Sequence, residues 1–521
     1  MSKITDFETV VADIPSGATL AIVGVIGWIV PEKLLRTLGQ RYLDTGAPGD
    51  LTLYVPCFGG DNGAIKGIDN LMHDGMTKRL ITGSFINPPD PETGERPRSM
   101  GQVQTDKIEA YTFHIGVMMH WLREIARRSP GYLTEVGIGT FVDPDLDGGK
   151  VTPCTTENIV EKIDFRGKPH LFFPSQHLDY GIIRATSADK HGNLCFEDDP
   201  LVSSNLAIAL AVKACGGKVI AQVKRTYEPG ERHAHMVKVP GVLVDHVVVD
   251  PNQQLVTGIQ NDARFLGQTR MDPRELQPLG PGAPTVIARR SASLINENEL
   301  TIYGFGASSS IPTIFATEGR FDGDGIYDYP STTEHGSYGG IVTSGWQFSA
   351  NYNPDALLDG VTQFDAIHAG LCKTCALAFA QFDAEGNINV SKFGSANPGS
   401  GGFIDIAHNA TNLILNGTFT TGGLKVDAKG GKLTILREGK VSKFVSDVEQ
   451  VTYPLLTGVR ERGQTAHIVT ERAVFAVKQE GIELLEVAPG IDPKTQVLDL
   501  MGFAPVRVAD QIPLMDPKLF T

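Results

Sequence analysis

The sequence has few cysteines, no long hydrophobic run and no excess of positive charge, and each of these absences excludes a class of protein. Its six cysteines are scattered over 521 residues, which argues against a disulfide framework and favours a reducing compartment. The longest nearly apolar run, residues 18–30, is too short to span a bilayer, and the N-terminus has no signal-peptide core. We therefore expect a cytoplasmic protein without a membrane partner.

The charge and the length of the chain further limit the kinds of protein that this sequence can encode. A net charge of −14 argues against a nucleic-acid partner and against binding to anionic membranes, although it permits an anionic ligand in a local pocket. The apolar fraction of 41% and the charged fraction of 20% are those of a soluble globular protein, and 521 residues exceed what one simple core needs. We therefore expect two or more domains.

Common catalytic and metal motifs are also missing. The sequence contains no GxSxG elbow and no HExxH motif, and Gly304-Phe-Gly306 lacks the remaining spacing of a GxGxxG or P-loop motif. Cys372 and Cys375 form an isolated CxxC without a second ligand pair for zinc. We interpret them as a partly buried helical pair, with a redox motif as the alternative. The two histidines of segment 232–235 are typical of a polar loop, and we predict no metal site.

Apolar strands that end in glycine turns and continue into helices occur in both parts of the chain. Residues 17–31 combine such a strand with a glycine turn, and Pro31 begins a helix that Gly46 ends. Residues 300–312 repeat this pattern after the Pro/Gly-rich segment 278–284. The other predicted elements are strands at 51–58, 181–186 and 218–223, helices at 117–125 and at 205–214 with Asn205 as N-cap, and a long loop at 83–107.

Strands and helices that alternate in this way predict an α/β fold with two structurally similar domains, each a mostly parallel sheet flanked by helices. The turn sequence at 383–387 repeats that at 189–193, which also suggests two related halves. We place the first domain at residues 1–277, a linker at 278–290 and the second domain at 291–521.

Glu334 is the strongest single candidate for chemistry. It lies in the run Thr332-Thr-Glu-His-Gly-Ser-Tyr-Gly-Gly340, where three glycines permit positive φ and the close approach of a ligand. We expect it on a tight connection at the end of an element, where active sites concentrate. A carboxylate there can act as a base, an acid, a metal ligand or a nucleophile. From the pattern alone, a solvated surface glutamate remains the alternative.

Two glycine-rich segments could support such a carboxylate. The cluster 399–402, followed by Phe403, can turn consecutive main-chain N–H groups towards a ligand and stabilise an oxyanion, or it can be a plain strand-to-helix turn. Gly304-Phe-Gly306 leads into a helix, and strand-to-helix glycine turns can hold phosphates.

Together these motifs resemble the family I coenzyme A (CoA) transferases. The similarity is to the long single-chain acetate, propionate and short-chain acyl-CoA transferases, in which an α-subunit-like half and a β-subunit-like half are fused. The matching segments are spread over most of the chain. They are 24–32, 137–144 with 148–150, 184–189, 192–193, 216–220, 239–245, 334–340, 363–365, 381–394 and 399–403.

The resemblance implies a ping-pong CoA-transferase. Glu334 would attack an acyl-CoA to give an anhydride, the CoA thiolate would return to form a glutamyl-CoA thioester, and a second carboxylic acid would take the CoA. Gly401 and Gly402 would form the oxyanion region. Acyl-CoA and carboxylic acids would be the substrates, no metal and no tightly bound cofactor are implied, and the assembly would be a homodimer or homotetramer. By analogy with other open α/β sheets, the site should lie at the carboxyl ends of strands where the halves meet.

The remaining site residues also follow from the resemblance, and three segments depart from it: 114–116, 368–375 and the loop 24–28, which is bulkier than the family's glycine-rich version. The residues expected to contact CoA are Gly304, Gly306, Gly399 and Phe403, and those expected to line the substrate pocket are Gly27, His114 and Ile115. Relatives carry Pro-Gln-Gly at positions 114–116 and a Gly-Gly-Gly-Leu-Asp run within 368–375. The alternatives are therefore an acyl-CoA hydrolase on the same scaffold and a non-catalytic acyl-CoA-binding protein.

Overall fold

The computed structural model describes residues 2–85, 89–90 and 92–521. It has a mixed α/β architecture whose sheets are mostly parallel and flanked by helices, which confirms the predicted fold class. None of the helices in the described ranges is long and apolar enough to cross a bilayer. The helices are α1 Phe7–Ala12, α2 Glu32–Thr45, α3 Arg98–Gln104, α4 Ile115–Ala126, α5 Asn205–Ala214, α6 Ala283–Ala292, α7 Ile311–Thr317, α8 Gly325–Asp328, α9 Gly360–His368, α10 Phe403–Asn409, α11 Leu455–Arg462 and α12 Pro493–Gln496.

The strands fall into two groups, which we call the first half and the second half. The strands of the first half are β1 Thr19–Ile22, β2 Leu51–Val55, β3 Thr77–Thr82, β4 Glu109–Thr112, β5 Gly131–Thr134, β6 Glu161–Phe165, β7 Lys168–Pro174, β8 Tyr180–Ala188, β9 Leu194–Cys195, β10 Lys218–Thr226, β11 Val237–Val239 and β12 His246–Val249. Those of the second half are β13 Thr301–Tyr303, β14 Ser331–Thr332, β15 Ser337–Tyr338, β16 Ile341–Val342, β17 Asn351–Tyr352, β18 Ala356–Leu357, β19 Thr374–Ala378, β20 Gln381–Phe382, β21 Asn387–Asn389, β22 Asn412–Asn416, β23 Thr420–Thr421, β24 Lys425–Lys429, β25 Lys432–Arg437, β26 Val441–Ser442, β27 Tyr453–Pro454, β28 Thr465–Val469, β29 Ala473–Lys478, β30 Gly481–Val487 and β31 Arg507–Val508.

Each half is built on one large sheet. In the first half, β4, β3, β2, β1, β8, β10 and β12 are parallel neighbours in that order, and β9 and β11 add antiparallel pairing at the end of β8. Every residue of β8 is buried, as expected for a central strand covered on both faces. In the second half, β14, β13, β19, β22 and β28 are parallel, and antiparallel strands extend both edges.

The strand order of the second sheet explains where a site can form. Strand β13 lies between β14 and β19. The chain leaves β13 towards β14 on one side and leaves β19 towards β22 on the other, so the two connections run in opposite directions across the sheet. A crevice opens at the carboxyl ends of strands where the order reverses in this way. Residues that directly follow β13, β14 and β19 therefore meet at one end of the sheet.

The two turns matched in sequence also fold alike. The carboxylate of Asp189 accepts the backbone N–H of Asn193 at 3.0 Å and its side-chain Nδ2–H at 2.8 Å. Asp383 accepts the same two groups of Asn387 at 2.9 and 3.1 Å. The shared turn geometry is consistent with an internal repeat, whereas the bounds of the two domains stay a prediction. Helix α6 begins inside the predicted linker, so a linker without regular structure would end at residue 282.

The segment 83–107, predicted as a loop, contains helix α3. The carboxylate of Asp69 accepts the backbone N–H groups of Arg98 and Ser99 at 3.0 and 2.8 Å, so the cap of this helix comes from a distant part of the chain. Local sequence carries no signal for such a cap. Residues 86–88 and 91 of the predicted loop lie outside the described residues.

Two further local predictions are wrong. Cys372 and Cys375 are buried free cysteines, but Cys375 lies in strand β19 and Cys372 precedes that strand, so the pair is not helical. Ser204 rather than Asn205 occupies the N-cap position of α5. The Asn205 side-chain oxygen instead accepts the backbone N–H of Arg184 at 3.0 Å and so joins the helix to β8.

Trp28 is a buried link between the two halves. Its indole Nε1–H donates to the carbonyl oxygen of Phe348 at 3.0 Å. Its ring packs edge-on against Phe265, with 5.2 Å between the ring centroids, and its side chain is fully buried.

Replacing Trp28 with Phe should destabilise the protein. The substitution leaves the buried Phe348 carbonyl without its donor, which costs about 1–3 kcal/mol, and it removes part of the packing against Phe265. Thermal unfolding checks this, with Trp346→Phe as the control because Trp346 is 38% exposed. Equal melting temperatures for the two variants would contradict the assignment.

Candidate active site

Glu334 lies in the tight connection between β14 and β15, as predicted. The backbone N–H of Thr333 donates to the Ser337 carbonyl at 3.3 Å, and that of Gly336 donates to the Thr333 carbonyl at 3.3 Å. Gly336 has a φ of 92°, and a Cβ at this position would lie 2.4 Å from the Leu358 carbonyl oxygen. Only glycine therefore closes this turn without displacing the backbone.

The base of the turn is fixed by buried polar side chains. The amide Nε2–H of Gln363 donates to the Thr333 carbonyl at 2.7 Å, and the Thr333 hydroxyl donates to the Ser349 carbonyl at 2.9 Å. Both side chains are fully buried. These contacts hold the backbone beside Glu334, so the direction of its side chain is set by the fold.

The Glu334 carboxylate meets the glycine cluster across the site. Its Oε2 accepts the backbone N–H of Gly402 at 2.9 Å, and its side chain is 16% exposed. A Cβ on Gly402 would lie 2.1 Å from the same oxygen, so the contact requires glycine. Gly401 contributes differently, because its N–H donates to the Gly83 carbonyl at 3.0 Å. Of the two predicted oxyanion glycines, only Gly402 therefore donates to Glu334.

A cavity of about 320 Å³ opens beside this carboxylate. Its walls come from segments that follow the carboxyl ends of β13 and β19, and from the glycine cluster. The lining residues are Gly304, Phe305, Gly306, Glu334, Leu377, Ala378, Phe379, Ala380, Val390, Phe393, Pro398, Gly399, Ser400, Gly401, Gly402, Phe403 and Ile406. All residues predicted to contact CoA and both predicted oxyanion glycines thus meet Glu334 in one cavity, whose lining is mostly apolar.

The three predicted pocket residues of the first half are not among the described residues that line this cavity. Gly27 packs against Asp61 and Val256, and a Cβ there would lie 2.5 Å from Asp61 Oδ2. His114 is fully buried, with its Nδ1 2.7 Å from Asp405 Oδ1. Ile115 is buried as well, and its backbone N–H donates to the Gly401 carbonyl at 2.9 Å.

Burial controls the charge of Glu334. Burial raises the pKa of the Glu334 carboxyl from 4.5 to about 7, and the negative charge of Asp405 contributes to this rise. The hydrogen bond from the Gly402 N–H acts in the opposite direction and lowers the pKa. His335 Nε2 lies 3.6 Å from Glu334 Oε1, but burial lowers the pKa of this imidazole to about 3. A neutral His335 supplies no counter-charge. The reactive anion of Glu334 therefore accumulates only as the pH approaches and passes 7.

Three residues near Glu334 were not identified from the sequence. Burial, followed by the Glu334 charge, raises the pKa of the Cys57 thiol to about 12, which places this first-half side chain in the electrostatic field of the carboxylate. His335 directly follows Glu334 in the chain, and Asp405 lies three residues after the end of the glycine cluster 399–402. The available signals were the position of His335 inside the 334–340 motif and that of Asp405 just after the 399–403 motif, whereas Cys57 lies in neither. Sequence alone does not show which way such side chains point.

Comparisons with known proteins agree on one family. Residues 4–250 match the family described as Coenzyme A transferase. The chain is 36% identical over 509 residues to "Acetate CoA-transferase YdiF" of Escherichia coli K12, covering 97% of this chain and 93% of that protein. It is 35% identical over 536 residues to "Caffeate CoA-transferase" of Acetobacterium woodii, covering 100% of this chain and 98% of the other.

Solved structures give the same result. The crystal structure of the YdiF acyl-CoA transferase apoenzyme from Escherichia coli O157:H7 superposes with a TM-score of 0.90 at 34% identity, covering 100% of this chain and 96% of that one. A second structure of the same enzyme, described as a thioester complex with CoA, matches with the same TM-score, identity and coverage.

Alanine at Gly336 should destabilise the turn that carries Glu334. The positive φ costs about 1–2 kcal/mol for a residue with a Cβ, and the approach to the Leu358 carbonyl adds to that cost. Gly345→Ala is the matched control, because Gly345 also has a positive φ, 62°, but open space for a Cβ. The melting temperature should fall further for Gly336→Ala. An equal fall in both variants would show that the contact with Leu358 is unimportant.

Glu334→Gln should gain stability relative to the wild type as the pH rises. Because the folded carboxyl has a pKa raised from 4.5 to about 7, the folded wild type loses stability between these pH values as the buried group ionises. The amide does not ionise, so its advantage should grow by about 2–3 kcal/mol from pH 5 to pH 8.

Thermal unfolding of both proteins at pH 5 and pH 8 measures this difference. Glu480→Gln, a substitution of an exposed glutamate, is the control and should show no such trend. If the stability difference between Glu334→Gln and the wild type does not change with pH, the carboxyl is not buried as described.

Proposed function

The chain belongs to the coenzyme A transferase family and is a CoA-transferase, and we propose that it moves CoA between an acyl-CoA and a carboxylic acid through a covalent thioester on Glu334. The observation that carries this proposal is the contact of the Glu334 carboxylate with the Gly402 N–H at the wall of a mostly apolar cavity. A buried, weakly solvated carboxylate is suited to nucleophilic attack, and a backbone N–H is suited to an oxyanion.

The first half of the proposed reaction has two steps. A Glu334 oxygen attacks the thioester carbonyl of the acyl-CoA, the carbon–sulfur bond breaks, and CoA leaves as a thiolate from an acyl-glutamyl anhydride. The thiolate then attacks the glutamyl carbonyl, and the acyl group leaves as a free carboxylate. The Gly402 N–H, which already binds Oε2, stabilises the negative charge that forms on the glutamyl oxygen in this second step.

The second half reverses these steps with another acid. Its carboxylate attacks the glutamyl-CoA thioester and releases the thiolate, which then attacks the new acyl carbonyl to give the product acyl-CoA. Glu334 is regenerated as a carboxylate. No step needs a metal ion or a tightly bound cofactor, and we propose neither.

The cavity suits the pantetheine arm of CoA. Leu377, Phe379 and Val390 present apolar side chains along its walls, which favours an uncharged chain over a free acid. The solved relative described as a thioester complex with CoA supports a covalent intermediate in this family. Short-chain acids are our first choice of acyl group, since one relative is named an acetate CoA-transferase. A homodimer or homotetramer is proposed from the family resemblance, and a cytoplasmic location from the few cysteines.

The geometry does not support the observation that suggested the hydrolase alternative. It depended on the replacement of a pocket glutamine by Ile115, but the Ile115 side chain is buried and is not among the described residues that line the cavity. A non-catalytic binding protein is disfavoured by the contact between Glu334 and Gly402, because simple binding of an acyl-CoA does not require a buried carboxylate at that point.

The test of this function is trapping of the intermediate. Incubation with acetyl-CoA should add the mass of CoA minus water to Glu334, and butyrate should then remove the adduct as butyryl-CoA. Glu334→Gln should form no adduct and should lose about 10³-fold or more of its transfer rate. Intact-protein and peptide mass spectrometry and a thioester assay measure these effects.

Glu480→Gln, at an exposed site, is the control and should behave like the wild type. Full transfer by Glu334→Gln would refute the proposal. Steady release of free CoA without any acceptor acid would favour the hydrolase instead.

A further inference from the structure

The peptide group between Gly401 and Gly402 is held at both ends. Its N–H donates to Glu334 Oε2 at 2.9 Å, and its carbonyl oxygen accepts the backbone N–H of Ile115 at 2.9 Å. In a trans peptide the C=O and N–H bonds point in opposite directions, so fixing the carbonyl also fixes the direction of the N–H. Ile115 therefore acts on the site through its backbone.

The helix that follows this peptide is fixed by a buried carboxylate. Asp405, in the first turn of α10, is fully buried. Its Oδ2 accepts the backbone N–H of Gly116 at 2.8 Å. Its Oδ1 lies 2.7 Å from His114 Nδ1 and 2.9 Å from His368 Nε2. Segment 114–116 thus contacts both the Gly401–Gly402 peptide and Asp405, three residues further on.

The two histidines come from distant segments of the chain. The two histidines are 254 positions apart in the sequence, yet both imidazoles contact the same oxygen, Oδ1, of the buried Asp405 carboxylate. A histidine at either position alone would leave that oxygen with a single side-chain donor.

We propose that Asp405, bound by His114 and His368, is a positioning residue that aims the Gly402 N–H at Glu334. This inference rests on the proposed function of Glu334. The histidines act as hydrogen-bond donors: the Asp405 contact assigns the proton to Nδ1 of His114 and to Nε2 of His368. His114 Nε2 has no hydrogen-bond partner among the described residues. A donor at the right atom is therefore what the site requires of each ring.

The electrostatic surroundings agree with this role. Burial acts to raise the pKa of Asp405, but His114 and His368 hold it well below its usual range, so the carboxylate remains an acceptor. The other titratable groups that face it are Glu334, Tyr132 and His408. The carboxylate is thus kept ionised by its two imidazole partners, and this favours strong hydrogen bonds to both.

Paired substitutions separate positioning from mere folding. His114→Ala and His368→Ala remove a donor. His114→Asn keeps a donor at the place of Nδ1, and His368→Gln keeps one at the place of Nε2. His177→Ala is the control, because His177 is exposed and precedes β8 at the opposite, amino end of the strands. His368 is 18% exposed and gives a second, milder test if the His114 variant folds poorly.

The measurement is the single-turnover rate of CoA adduct formation on Glu334 with acetyl-CoA, together with KM and the melting temperature. Each alanine variant should lose about 10- to 100-fold in rate with KM little changed, since a misdirected donor weakens transition-state stabilisation more than binding. His114→Asn and His368→Gln should regain most of that rate. A lower folded fraction would reduce the amplitude of adduct formation but leave its rate constant and KM unchanged, so a fall in the rate constant would not follow from partial unfolding alone.

Three outcomes would overturn the proposal. The alanine variants could form the adduct at the wild-type rate. Their loss of activity could equal their loss of folded protein. His114→Asn and His368→Gln could form the adduct no faster than the alanine variants. A wild-type protein that forms no adduct would refute the proposed function as well. Normal adduct formation by the wild type with unaffected variants would refute only the role of Asp405 and its two histidines.

Discussion

The hydrogen bond from the Gly402 N–H to the Glu334 carboxylate is the interaction on which the site depends. The carboxylate is largely removed from water, its neighbouring imidazole is neutral, and the N–H of Gly402 supplies its backbone hydrogen bond. Burial disfavours the anion and raises the pKa of Glu334 to about 7, although the Gly402 N–H opposes this rise. In the proposed reaction, the same environment favours the uncharged anhydride and thioester forms of this side chain, because they carry no charge to desolvate.

The two halves contribute different parts to this contact. The second half supplies the carboxylate, the glycine cluster and the walls of the cavity. The first half supplies the Gly83 carbonyl and the Ile115 N–H, which hold Gly401 from two sides, and the Trp28 indole, which binds the second half elsewhere. The geometry of the site therefore depends on how the halves pack, although few first-half side chains face the carboxylate.

Asp405 shows how a buried charge can serve a site without entering it. It lies fully buried between segment 114–116 and His368, where three donors meet its two oxygens. A buried carboxylate left with unpaired oxygens would be costly, so the donors and the carboxylate must be retained together.

The sequence by itself determined the α/β class and the order of the main strands and helices, and it singled out Glu334 and the glycine cluster at 399–402 as the candidate site. Hydrophobic runs, glycine turns and motifs are local, so they can be recognised without a structure. Only the tertiary structure decided that Gly402 rather than Gly401 faces the carboxylate, that His114 points to Asp405, and that Asp69 caps a helix in a predicted loop. Each of these depends on atoms from distant segments, because the direction of a peptide or a side chain is fixed by the partner that the fold brings to it.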